Sequence, residues 1–229
     1  MGTNYNPSIK TTGLVFCMDA ASKTYGETAQ DMAGISTSSL KNGAAFNSDD
    51  YGSIDFDGTD DYISTNLDAS SFSSTNTEFT VDIWMDSDAN NSSYALFNLN
   101  NGTGEYIEIR MDGSRYFFGT RYNSIVRNAY GTVPFGGGPW ANITCVKAPG
   151  IQDIYFNGSI AAVGSPNTAQ GDDLNFGAGG GAVIGCRGTP TSPAATYWNG
   201  KISVVRVYNQ AMSAWEVSQN YQATVRRYS

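Results

Sequence analysis

Apolar and polar residues alternate most regularly over Phe79, Thr80, Val81, Asp82, Ile83, Trp84, Met85 and Asp86. A period of two puts successive side chains on opposite faces of a β-strand. One face then carries Phe79, Val81, Ile83 and Met85, and the other Thr80, Asp82, Trp84 and Asp86. Residues 106–111 repeat the pattern, with Ile107, Ile109 and Met111 inward and Tyr106, Glu108 and Arg110 outward. Shorter strands are predicted at 14–18 and 53–56. Asp112-Gly113 predicts a hairpin into 116–120, and Asn157-Gly158 predicts another between 154–156 and 159–161. Both dipeptides tolerate the positive φ angles that two-residue hairpin turns need. Residues 201–208 break parity, because Ile202 to Val205 is an odd step and Val205 to Val207 an even one. One face holds all three only if a β-bulge near Ser203-Val204 shifts the register.

A single helix is predicted, over 214–222. Ser213 and Glu216 have the spacing of a capping box, with Met212 and Val217 placed as a hydrophobic staple. Trp215 and Tyr221 are read as packing groups. Residues 1–12, with Pro7, read as an N-terminal arm ordered by contact with something else. Residues 19–50 read mostly as loop, 136–139 as a turn, and 177–181 as a flexible loop before a strand at 182–184. No internal repeat or linker interrupts 13–229, which read as one domain. Short strands, tight turns and one late helix predict an all-β, antiparallel two-sheet sandwich.

Composition agrees and narrows the partners. Of the 229 residues, 40% are hydrophobic and 15% charged, with 26 glycines for turns. The net charge of −8 and the absence of a basic stripe argue against nucleic acid and anionic membranes. The N-terminus has neither the basic nor the apolar region of a signal peptide, and no apolar run reaches membrane-spanning length. Synthesis in a reducing cytoplasm is therefore expected. Cys17, Cys145 and Cys186 each sit among apolar residues and read as buried thiols. The Asn142 and Asn157 sequons reflect an Asn-rich composition.

Six segments, in order, resemble a known family. They are the Gly13-Leu-Val-Phe-Cys-Met-Asp-Ala-Ala opening; Phe56-Asp-Gly-Thr-Asp-Asp-Tyr-Ile63; the Phe79-to-Met85 strand; Pro139-Trp140-Ala-Asn-Ile-Thr; Ile154-Tyr-Phe-Asn-Gly158; and Tyr197-Trp-Asn-Gly-Lys-Ile202 with the strand and capped helix after it. Together they resemble the laminin G-like subgroup of the concanavalin A-like lectin/glucanase domains. The resemblance spans roughly residues 13–228 and implies a jelly-roll sandwich, with Tyr197-Trp198 in the core. The polar lead, the opening strand and the Asn220-Tyr-Gln-Ala-Thr-Val-Arg-Arg-Tyr228 ending also resemble single-domain virion proteins of tailed bacteriophages. That likeness implies a non-enzymatic structural protein on the virion surface, as a capsid decoration or fibre-associated module. Other virion proteins would be its partners, and it would be a homo-oligomer.

Candidate chemistry is sparse. The chain has no histidine, which removes Ser-His-Asp and Cys-His catalysis and every His-containing metal site. Glycoside hydrolysis needs only two carboxylates, and alternating acids on one strand lie about 6.6 Å apart. Asp82 and Asp86 share a face but are four residues apart, about 13 Å. Glu105 and Glu108 point opposite ways, so no enzyme is expected from these strands. Asp82, Trp84, Tyr106, Glu108 and Arg110 are the candidate glycan-binding set, because sugars stack on aromatic rings and bond to planar polar groups; the alternative function is then a carbohydrate-binding module that adheres to host surface glycans. The competing reading is a solvent face with cross-strand ion pairs, or a face covered by a sister subunit. Asp57, Asp60 and Asp61 are the candidate calcium ligands, on a turn that Asp57-Gly58 would make in any case. No other cofactor is expected.

Overall fold

The computed structural model describes residues 8–22, 24–25, 28–29, 31–34, 38–48, 51–67, 71, 78–87, 94–102, 104–112, 115–122, 124–132, 140–164, 180–194 and 196–228. In chain order its strands are β1 (Leu14–Asp19), β2 (Thr24–Tyr25), β3 (Thr28–Ala29), β4 (Ser38–Lys41), β5 (Ala45–Asn47), β6 (Ser53–Asp57) and β7 (Tyr62–Thr65). Then come β8 (Phe79–Ser87), β9 (Ala95–Asn100), β10 (Tyr106–Asp112), β11 (Arg115–Tyr122), β12 (Ile125–Thr132) and β13 (Ala141–Ala148). The last are β14 (Ile151–Phe156), β15 (Ser159–Gly164), β16 (Gly181–Ile184), β17 (Arg187–Thr189), β18 (Ser192–Ala194) and β19 (Asn199–Tyr208). The helix α1 (Ala214–Thr224) and a 3₁₀ turn, Val225–Arg227, close the chain.

Two antiparallel sheets form the predicted sandwich. The first runs β15-β14-β13-β8-β19-β6-β5, and the second β12-β11-β10-β9-β16-β7-β4. β19 pairs with β8 along one edge, and with β6 and then β1 along the other. Phe79, Val81, Ile83 and Met85 of β8 pack in one core with Ile107, Ile109 and Met111 of β10, as the alternation predicts. The β19 register shifts between Ile202 and Val204. That bulge lets Ile202, Val205 and Val207 all enter the core. Asn157 and Gly158 have φ of 49° and 75° between paired Phe156 and Ser159, the turn that Asn-Gly favours. Gly158 is also needed for packing, since a Cβ there would lie 2.8 Å from Tyr221 Cβ. Asp112 pairs with Arg115, while turn residues 113–114 lie outside the described residues, as do 133–139 and 165–179. Trp198 is fully buried in the core.

Several expectations are corrected. Residues 19–50 contribute β4 and β5, the outermost strands at one end of each sheet, as well as the β2–β3 pair. Strands of two to four largely polar residues carry too little alternation to be read. Residues 8–12 of the arm dock on this same chain. Lys10 N donates to Asn220 Oδ1 at 2.8 Å, the Tyr208 hydroxyl donates to Lys10 O, and Lys10 Nζ pairs with Glu216. Residues 1–7 lie outside the described residues. The helix extends to Thr224, and both halves of its capping box are formed. Met212 and Val217 pack together with Val146, Tyr155 and Tyr208. Tyr221 packs as expected, but Trp215 is 72% exposed.

The outer face of the first sheet is closed. Trp84 stacks on Tyr221 and Tyr228, with ring centroids 5.5 and 4.4 Å away, and Trp140 adds a second contact to Tyr228 at 4.9 Å. Asp82, Arg206 and Thr224 lie buried in the same layer. α1 and the turn after it therefore form a third layer over β8, β13 and β19.

Candidate functional site

The five candidate glycan-binding residues do not share a surface. Asp82 and Trp84 lie on β8 of the first sheet, and both are 1% exposed. Their outward direction is as read, yet outward there means under the C-terminal helix. Asp82 takes hydrogen bonds from Asn142 Nδ2 at 2.6 Å and Thr144 Oγ1 at 3.0 Å, and pairs with Arg206 at 2.9 Å. These contacts make Asp82 and Trp84 structural, and they bury Asn142, the residue of one sequon.

Tyr106, Glu108 and Arg110 lie on β10, on the outer face of the other sheet. Register arranges their neighbours in three rows. Tyr106 faces Asn100 and Arg121, Glu108 faces Asn98 and Gly119, and Arg110 faces Phe117. Glu108 is fully buried and lies between two guanidiniums, Arg110 Nη1 at 3.0 Å and Arg187 Nε at 2.7 Å. The Arg110 contact is a charge-assisted hydrogen bond, and the Arg187 contact is an ion pair. The Arg110 guanidinium also lies 3.9 Å from the Phe117 ring centroid, a cation–π contact. Gly119 makes room for that ring, because a Cβ there would lie 2.3 Å from Phe117 Cζ. Tyr130 packs edge-on against Phe117, with Arg115 4.6 Å from the Tyr130 ring centroid.

Tyr106 feels the charges of the group. Burial pushes its phenol above the usual range, and the Glu108 charge adds to this, while Arg187, Arg110 and Arg121 act against it. Sequence reasoning found Tyr106, Glu108 and Arg110 through parity, and missed Asn98, Arg121 and Arg187. Arg187 comes from the β17–β18 hairpin, where Gly188 N donates to Asn98 Oδ1 at 3.2 Å. No period-two pattern marks this hairpin. Arg121 lies opposite Tyr106 because the strands pair Asp112 with Arg115, two positions beyond the register that an Asp112-Gly113 turn implies.

The structure does bring Asp57, Asp60 and Asp61 together, with one oxygen of each within 4.8 Å of the others. Their hard oxygens suit calcium. The same atoms also build the turn. Asp57 Oδ1 accepts from Thr59 N at 2.7 Å, and Asp61 Oδ2 accepts from Asp57 N at 2.9 Å. The Thr59 amide leads in lowering the Asp57 carboxyl, whereas burial leads in raising that of Asp61. The thiols are poor nucleophiles at neutral pH. Burial raises Cys17 to about 11 and Cys186 to about 12, and pushes Cys145 well above its ordinary value.

Similar folds occur in several solved structures. Domain 4 of AbnA, a GH43 extracellular arabinanase from Geobacillus stearothermophilus solved in complex with arabinotriose, aligns with a TM-score of 0.72 at 14% identity. That match covers 93% of this chain and all of that domain. The Trypanosoma rangeli sialidase in complex with sialic acid aligns at 0.70 and 14% identity, over 97% of this chain and 35% of the sialidase. A botulinum neurotoxin type C structure, from work on its interaction with two ganglioside molecules, aligns at 0.69 and 13% identity, over 92% of this chain and 51% of that one. The chain thus spans about a third of the sialidase and half of the toxin chain. A search of curated proteins by sequence finds no match. The laminin G-type model described as the concanavalin A-like lectin/glucanases superfamily matches residues 57–218, and the chain belongs to that superfamily.

Proposed function

We propose that this chain is a non-enzymatic carbohydrate-binding domain that reads its ligand on the outer face of the β9–β10–β11 sheet. One observation carries the reading: the buried Glu108 holds Arg110 and Arg187 beside Tyr106 on the sheet face that α1 leaves uncovered. A phenol and planar guanidiniums carried on paired strands and a hairpin form a preorganised polar surface of the kind that binds sugar hydroxyls. A domain that aligns over its whole length was solved with arabinotriose, and a sialidase that aligns over 35% of its chain was solved with sialic acid; the first above all supports a sugar as the partner. The carboxylates fit binding better than hydrolysis, since Glu108 meets a guanidinium at each oxygen and Asp82 is sealed beneath the helix. Display on a tailed-phage particle remains part of the proposal and is supported by the sequence resemblance; such a domain on a particle surface would serve adhesion.

The test is a glycan array probed with the parent chain and with Tyr106→Ala. The parent is expected to bind a defined subset of glycans. The variant should lose about tenfold or more in affinity, within the range for a lost stacking and hydrogen-bonding group, with an unchanged circular dichroism spectrum. Full affinity in the variant would remove this face from the account.

A further inference from the structure

Resting on that carbohydrate reading, we infer that the ligand is an acidic oligosaccharide, bound through a sugar carboxylate by Arg121 and Arg187 on either side of Tyr106. The chain as a whole is acidic, with 21 Asp and Glu against 13 Lys and Arg. Yet the outer face of the second sheet gathers Arg110, Arg115 and Arg121 from adjacent strands, and Arg187 from the hairpin over β9. Four of the 13 basic residues thus lie on one face of a chain of net charge −8, with Arg115 at the far end of β11 from Arg121. Cross-strand pairing puts Arg121 directly opposite Tyr106. Arg187 reaches Glu108 through Nε, and its side chain is still 43% exposed. The ion pair keeps the Arg187 guanidinium beside Glu108, and its terminal nitrogens make the fork that matches a carboxylate.

Glu108 explains why the arrangement persists without a ligand. Clustered guanidiniums repel, and a buried carboxylate between two of them offsets that repulsion and fixes their directions. Glu108 cancels one charge of the Arg110–Arg187 pair, so with Arg121 the group around Tyr106 keeps a positive balance. The overall charge of −8 disfavours a densely charged polyanion at long range. A local patch of this sign suits a sugar acid, whose carboxylate is set among hydroxyls that Tyr106 can meet.

The parent chain, Arg121→Gln and Arg187→Gln are tested by titration calorimetry at 50 and 300 mM salt. The probes are 3′-sialyllactose, a galacturonate trimer, the methyl ester of that trimer, a sulfated galactose trimer, and lactose. Binding of one or both carboxylated sugars is expected, with about tenfold or greater weakening in each variant. Weakening by salt and loss on esterification are also expected if the galacturonate trimer binds. Equal binding of lactose or the ester would overturn the acidic assignment and leave carbohydrate binding intact. Preference for the sulfated trimer would overturn the carboxylate. Unchanged carboxylate affinity in both variants would overturn the role of the two arginines. No binding of any sugar, confirmed on a broad array, would overturn both this inference and the reading beneath it.

Discussion

Replacing Trp84 with alanine is expected to lower the unfolding free energy by about 3–5 kcal/mol, the range for truncating a large buried aromatic. A Trp on the polar face of a strand in a lectin-like fold invites a sugar-stacking role. Here the ring is 1% exposed and lies against Tyr221 and Tyr228, with interplanar angles of 5° and 19°. Its Nε1–H has no hydrogen-bond partner among the described residues, so stacking and burial hold it. Truncation leaves a cavity between β8 and the C-terminal segment, and Tyr228 loses a packing partner. Urea unfolding followed by circular dichroism measures the loss. Limited proteolysis should show earlier cleavage within residues 221–228. Trp84→Phe, which keeps a ring in the stack, should restore much of the stability. A Trp84→Ala chain as stable as the parent would mean that the helix layer does not depend on this contact.

Asp82→Ala is expected to cost a comparable amount, about 3–5 kcal/mol, because it strands a buried cation. Arg206 is 4% exposed and reaches Asp82 Oδ2 with one terminal nitrogen and Thr224 Oγ1 with the other, at 2.9 and 3.2 Å. Burial is the largest single influence on Arg206 and would lower its pKa, but the Asp82 charge, the Tyr208 and Cys17 groups and the Asp82 hydrogen bond together hold the guanidinium above its ordinary value. Without Asp82 the charge stays buried, and Asn142 and Thr144 lose their common acceptor. The double replacement Asp82→Leu with Arg206→Met removes both charges and should cost clearly less than Asp82→Ala alone. Chemical denaturation of the three chains decides this. A double variant as unstable as the single one would show that the network holds the layers through its hydrogen bonds rather than its charge balance.

The two replacements also show how far the sequence could be read. Alternation along β8 and β10 assigned every inward residue correctly, because the core imposes parity on both strands. It could not say what lies beyond the outward side chains. Thr80, Asp82 and Trp84 alternate with apolar residues in the same way whether water or a helix covers them. A signal was present. Tyr221 lies in, and Tyr228 just after, a capped helix that begins soon after β19, within reach of an aromatic on the adjacent strand. The bulge at Ser203-Val204 was legible because three apolar residues demanded one face. β4, β5 and the β17–β18 hairpin were not, since edge strands of three or four residues satisfy few side-chain contacts. Half of the candidate site was therefore legible, the β10 half. Arg187 reaches Glu108 through a hairpin contact that periodicity does not encode.

The most direct test of the account is a two-dimensional amide NMR titration of the ¹⁵N-labelled chain with a glycan that an array has shown to bind. The account predicts that the amides that shift cluster at Tyr106, Glu108, Arg110, Arg121 and Arg187, while those of Trp84, Asp82 and the α1 residues stay in place. Shifts centred on β8 and α1, or a binding glycan that leaves the β10 amides unmoved, would contradict it.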